Sequence, residues 1–195
     1  MKRLLFLFLL FLAACGSKQE DKKQAKIENT DYLVSLDGIG PVKTGMTQTE
    51  LEKLIQKKIP LTNPTDTISG SWMDTAIIKF KDVELDLDFV RTYAYTKPDS
   101  FHMRVNRITT SNERFKTAGG AGIGSTKKQV IDAFDNYRLY IGPQSIMIND
   151  TTWGLSKTLY LISVREDREG PEIVFFLKDN KVYSIEVGTF YDDQE

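Results

Sequence analysis

The chain has 195 residues, with 26 basic and 27 acidic side chains, one histidine and one cysteine. That near-neutral, slightly acidic balance excludes a basic nucleic-acid-binding chain. The lone cysteine and lone histidine exclude a disulfide framework and a Cys/His zinc site, and the length suits one core of ordinary size or two small repeats sharing one.

Lys2 and Arg3 precede an unbroken apolar run from Leu4 to Ala14. The run is too short to span a bilayer, which takes roughly 20 apolar residues, and it has no polar positions for the solvent face of a globular helix. It reads as a signal-peptide core. It ends in Leu12-Ala13-Ala14-Cys15-Gly16, which resembles the lipobox of bacterial lipoproteins. That resemblance implies recognition by a signal peptidase at Leu12, Ala13 and Ala14, cleavage before Cys15, and a lipid on the Cys15 thiol. The mature protein is then tethered to a membrane without spanning it. Gly16 stands where inner-membrane retention favours aspartate, so the resemblance points to the outer membrane rather than the inner. Residues 16–30 are almost wholly polar and read as a flexible spacer. Without the leader the chain carries 24 positive against 27 negative side chains.

Beyond the spacer a repeat organises the sequence. Gly45-Met46-Thr47-Gln48-Thr49-Glu50-Leu51 aligns with Gly124-Ser125-Thr126-Lys127-Lys128-Gln129-Val130. Both copies read as a glycine turn, a threonine N-cap with Glu or Gln three residues later, and an apolar helix face. That face is Leu51, Leu54 and Ile55 in the first copy and Val130, Ala133 and Phe134 in the second. Further on, Arg104-Val105-Asn106-Arg107-Ile108 matches Lys181-Val182-Tyr183-Ser184-Ile185. Strand-like runs lie at 75–81 and 83–90, then at 158–165, 172–177 and 182–188, joined by hairpin-like connections. The expected fold is α+β: two tandem repeats, each a short helix followed by an antiparallel β-meander, with the helices on one sheet face. The expected organisation is 1–14 leader, 15–30 lipidated cysteine and tether, 31–112 repeat 1 and 113–195 repeat 2.

The opening Gly38-Ile39-Gly40-Pro41-Val42-Lys43-Thr44-Gly45-Met46-Thr47 resembles that of the β-lactamase-inhibitor-protein-like repeat, which also occurs in small lipoproteins of outer-membrane assembly. The segment from Phe115 to Thr126 resembles the second opening of two-repeat members. The resemblance implies an extracytoplasmic setting and a role in binding proteins. Because the chain lacks disulfide cysteines, inhibition of β-lactamase does not transfer.

Candidate chemistry is sparse. Residues 119–126 are glycine-rich, but Ser125 stands where a phosphate loop needs lysine, and the repeat already explains the glycines as turn residues. Glu84, Asp86 and Asp88 share one strand face and do not converge as a Ca²⁺ site requires, so they read as a solvated face. His102, beside Asp99 and Ser100, reads as an exposed loop histidine rather than a catalytic base. No catalytic residue, metal or cofactor is expected. Aromatic residues are the more useful lead. Trp72, Tyr93, Tyr95, Trp153 and Tyr160 fall in strand regions and form the candidate binding face, although such side chains serve cores and interfaces alike. The sequence therefore points to a non-enzymatic, lipid-anchored envelope protein that binds another protein. The rival reading is a small apolar or glycan ligand held between two sheets, with Trp72 and Trp153 stacking on it.

Overall fold

The computed structural model describes residues 30–61, 73–93, 101–167 and 170–189. Leu12, Ala13, Ala14, Cys15, Trp72 and Tyr95 lie outside the described residues. So does the side chain of Tyr93.

A single 3-10 turn at Thr30–Tyr32 leads into three very short strands, β1 (Leu33–Ser35), β2 (Gly38–Ile39) and β3 (Val42–Lys43). Helix α1 (Gln48–Ile55) follows, then the long strands β4 (Met73–Phe80), β5 (Val83–Tyr93) and β6 (Phe101–Thr110). The second half adds β7 (Lys116–Thr117), α2 (Lys127–Ala133), β8 (Arg138–Asn149), β9 (Thr152–Arg165), β10 (Glu172–Lys178) and β11 (Lys181–Gly188).

Both helices start with the expected capping box. Thr47 Oγ1 accepts from Glu50 N at 3.3 Å, and the Glu50 carboxylate accepts from Thr47 N at 2.8 Å. Thr126 and Gln129 repeat the pair at 3.3 and 2.8 Å. Gly45 and Gly124, at φ +77° and +81°, make the turns that precede the two caps. At positive φ a side chain is disfavoured, so these glycines serve the backbone. Each opening is then pinned to a long strand in the same way. Gly45 N donates to Val105 O at 2.7 Å and Val105 N to Met46 O at 2.9 Å; Gly124 N donates to Val182 O at 2.8 Å and Val182 N to Ser125 O at 2.9 Å.

The expected α+β arrangement of two helix-and-meander units is corrected, because the chain is mostly β and forms two sheets rather than a repeated unit. Strands β4-β5-β6-β11-β10-β9-β8 form one continuous seven-stranded sheet, joined at its middle by antiparallel pairing of β6 with β11. Strands β3-β2-β1-β7 form a four-stranded sheet in which β1, from the first half, runs parallel to β7, from the second. The physical reason is length. Helices of eight and seven residues are only about 12 Å and 10 Å long and cannot cover seven strands, so the segments before each helix contribute a second sheet to the covering layer.

One core results. Val34, Ile39 and Val42 of the small sheet, Leu51 of α1, Val130 of α2 and the loop residue Phe115 pack with the inward side chains of the large sheet. The alternation expected over 83–90 is present: Val83, Leu85, Leu87 and Phe89 are buried, while Glu84 and Asp86 are exposed. Two-residue turns join β4 to β5 at Lys81-Asp82 and β10 to β11 at Asp179-Asn180. Asp82 receives both guanidinium arms of Arg114, at 2.7 and 2.6 Å, tying the first of these turns to the loop before β7.

Candidate functional site

Two surfaces stand out, and both involve β8 and β9. The first is a hairpin arm. β10 pairs with β9 only from Leu159 onward, so among the described residues the β8–β9 ribbon runs on without a third strand. A wide bulge sets the arm off from the sheet, between the pairs Pro143–Tyr160 and Ser145–Leu155. Buried Ser156 stabilises that bulge by accepting from Thr158 N and Leu159 N at 3.2 and 2.9 Å. The tip closes between Asn149 and Thr152, where Asn149 Oδ1 accepts from Thr151 N at 3.1 Å. A side-chain acceptor two residues ahead of its donor is a turn-forming contact, and it fixes the tip locally.

The arm exposes apolar side chains on both faces. Met147 pairs directly with Trp153, and the next pair along that face is Ser145 with Leu155. Met147, Trp153 and Leu155 thus share one side, with relative exposures of 55%, 63% and 69%. On the other side Ile148, 64% exposed, lies over Gly154, where an added Cβ would come within 2.4 Å of Ile148 Cδ1. An isolated exposed apolar residue is ordinary; a contiguous group on a projecting ribbon marks an interaction surface.

The second surface is a concavity of about 790 Å³ on the outer face of the large sheet. Arg138, Arg165 and Glu172 lie in register across β8, β9 and β10 at one end, and Leu161, Val174 and Phe176 supply its apolar part. Glu172 is almost fully buried and accepts from both Ser163 Oγ and Arg165 Nε. Arg107 stands 3.5 Å from Asp88 and 3.9 Å from Glu186. Burial pushes the Glu186 carboxyl above its ordinary value, against the opposing pull of Arg107, and Asp88 and Glu172 add to the rise.

Between the ordinary glutamate pKa and the raised folded one, the native state holds more protons than the unfolded chain, so this group's contribution to stability falls as pH increases. Glu186→Gln is expected to remove that fall. Its denaturant midpoint relative to the parent protein should climb as pH rises above the ordinary glutamate value of about 4.3; a constant or shrinking difference overturns the assignment.

The expected aromatic face is dispersed. Trp153 is on the arm. Tyr160, 36% exposed, lies at the base of the arm on the sheet face that carries the core, with Lys127 Nζ 5.6 Å from its ring centre. Tyr93, on β5, is four strands from β9, roughly 19 Å at the usual strand spacing. Glu84 and Asp86 are solvent-exposed as expected, and His102 is exposed but sits in β6 rather than in a loop. No group of three or more His, Cys, Asp or Glu among the described residues could hold a metal ion. Also among the described residues, no helix is long and apolar enough to cross a membrane.

Sequence reasoning missed β8 and with it Arg138, Tyr140, Met147 and Ile148. A signal was present: Ile146-Met147-Ile148, then Asn149-Asp150-Thr151, then Thr152-Trp153 is an apolar run, a turn cluster and a second run. Gly142-Pro143 interrupts the pattern just before it and disguises the strand. No known protein family, curated protein or solved structure matches this chain.

Proposed function

We propose that this chain is a lipid-anchored protein of the bacterial cell envelope that binds a partner protein through the β8–β9 arm. The observation that carries the binding half is the group Met147, Ile148, Trp153 and Leu155, each more than half exposed on a ribbon that, among the described residues, pairs with no third strand. Aromatic and methionine side chains in such a position are the usual anchors of a protein interface. The envelope half rests on the lipobox-like stretch ending at Cys15 and on the likeness of the Gly38–Thr47 stretch to the openings of envelope lipoproteins.

Crosslinking in intact envelopes tests the binding half. The double variant Trp153→Ser/Leu155→Ser is expected to lose the crosslinked partner, with a cost of about 2 kcal/mol or more, roughly 30-fold in affinity. Met73→Ser serves as control, because Met73 is also about half exposed but lies on the opposite edge strand, β4. Equal loss in both variants, or in neither, overturns the reading. For the anchor, Cys15→Ala is expected to abolish palmitate labelling and release the protein in soluble form. Persistent labelling rejects it.

A further inference from the structure

The outer face of the large sheet carries an arrangement that the proposed role of the arm leaves unused. Three cross-strand rows follow one another on β8, β9 and β10: Arg138, Arg165 and Glu172; then Tyr140, Ser163 and Val174; then Gly142, Leu161 and Phe176. The first row is charged and the last is apolar. Tyr140 leans along the edge of the floor, and Gly142 leaves it room: a Cβ there would meet Tyr140 Oη at 2.7 Å.

The charges in the first row do not cancel. Arg165 is matched by Glu172, and Arg107 lies between Asp88 and Glu186. Arg138 is exposed and forms no ion pair among the described residues. Asp135 and Glu166 line a second hollow together with Arg138, without closing an ion pair with it among the described residues. Arg138 also stands directly opposite Arg165, and like charges at facing strand positions destabilise a sheet. An anion bound beside the two guanidiniums offsets that repulsion.

We infer that this concavity binds a monoanionic amphiphile, its carboxylate held by Arg138 and Arg165 and its apolar body lying across Leu161, Val174 and Phe176. Its volume of about 790 Å³ falls within the range of small-molecule sites. The three rows span about 14 Å at two residues per row, close to the reach of an extended ten-carbon acid.

Calorimetric titration of the full mature chain with decanoate, and separately with decanol, tests the inference. Saturable binding of decanoate is expected, at least tenfold tighter than decanol, and Arg138→Gln should weaken decanoate at least tenfold while changing decanol little. Because Arg138 is exposed on an edge strand and faces Arg165, its removal should leave the circular dichroism unchanged and the melting temperature equal or higher; Leu161→Gln, in the third row, should weaken both ligands. The inference is overturned if decanoate and decanol bind alike or if Arg138→Gln leaves decanoate affinity intact, since Arg138 would then only guard the sheet edge. Binding to phosphatidylglycerol vesicles without binding to free decanoate also overturns it, in favour of a membrane-held headgroup.

Discussion

Phe175→Ala is expected to destabilise the protein by about 3–5 kcal/mol, the usual cost of deleting a fully buried phenylalanine ring. For a chain of this size that corresponds to a fall of roughly 6–20 °C in melting temperature. Phe175 has no exposed surface, lies in register between Ile162 on β9 and Ile185 on β11, and packs at 5.8 Å ring to ring against Phe134 at the end of α2. Its loss opens a cavity where the helix layer meets the sheet, and surrounding strands cannot collapse to fill it without breaking register. The adjacent Phe176 points to the outer face and is only partly buried, so Phe176→Ala should cost clearly less. Chemical denaturation of the two variants side by side checks which face of β10 meets the core; equal losses would falsify the placement of Phe175 on the core face and Phe176 on the outer one.

The contrast between these two phenylalanines shows where the sequence was legible and where it was not. In Glu172-Ile173-Val174-Phe175-Phe176-Leu177 nearly every residue is apolar, so alternation cannot assign faces. In Val83 to Phe89 strict alternation with Glu84, Asp86 and Asp88 assigns them at once. The capping boxes were readable for a related reason: Thr47 with Glu50, and Thr126 with Gln129, are contacts within one turn. What could not be read was the merging of two meanders into one sheet. The pairing of Ile185 with Thr110 and of Val187 with Ile108 joins segments far apart in the chain, and no local pattern marks strands as neighbours. Strands β1, β2, β3 and β7 are two or three residues long, below the length at which any period appears. They became visible only as a layer over the core.

The functional surfaces divide in the same way. Trp153 was readable as an aromatic in a strand, but its exposure depends on where β10 stops, since a longer β10 would support the arm. The charged row was invisible because Arg138, Arg165 and Glu172 come from three strands, and only register aligns them. Spacing in sequence favours clusters within one element, such as Glu84, Asp86 and Asp88, and these proved to be an outer face. A sheet assembles its sites across strands.

Arg165→Met should be the most damaging single change on that outer face, costing about 3–5 kcal/mol, because it leaves the buried Glu172 carboxylate without its charge partner. The Glu172 side chain is 4% exposed and receives Arg165 Nε and Ser163 Oγ. Water cannot replace the lost guanidinium at that depth, and Ser163 alone supplies a single neutral donor. The double variant Arg165→Met/Glu172→Leu removes both charges and fills the space with apolar groups, so it should recover most of the loss despite carrying one more substitution. Ser163→Ala should cost only about 1 kcal/mol, the net value of one hydrogen bond. Urea denaturation of the three variants gives the coupling directly. If Arg165→Met costs under about 1 kcal/mol, the pair behaves as a solvent-screened surface contact, and the charged row then rests on the sheet without helping to hold it together.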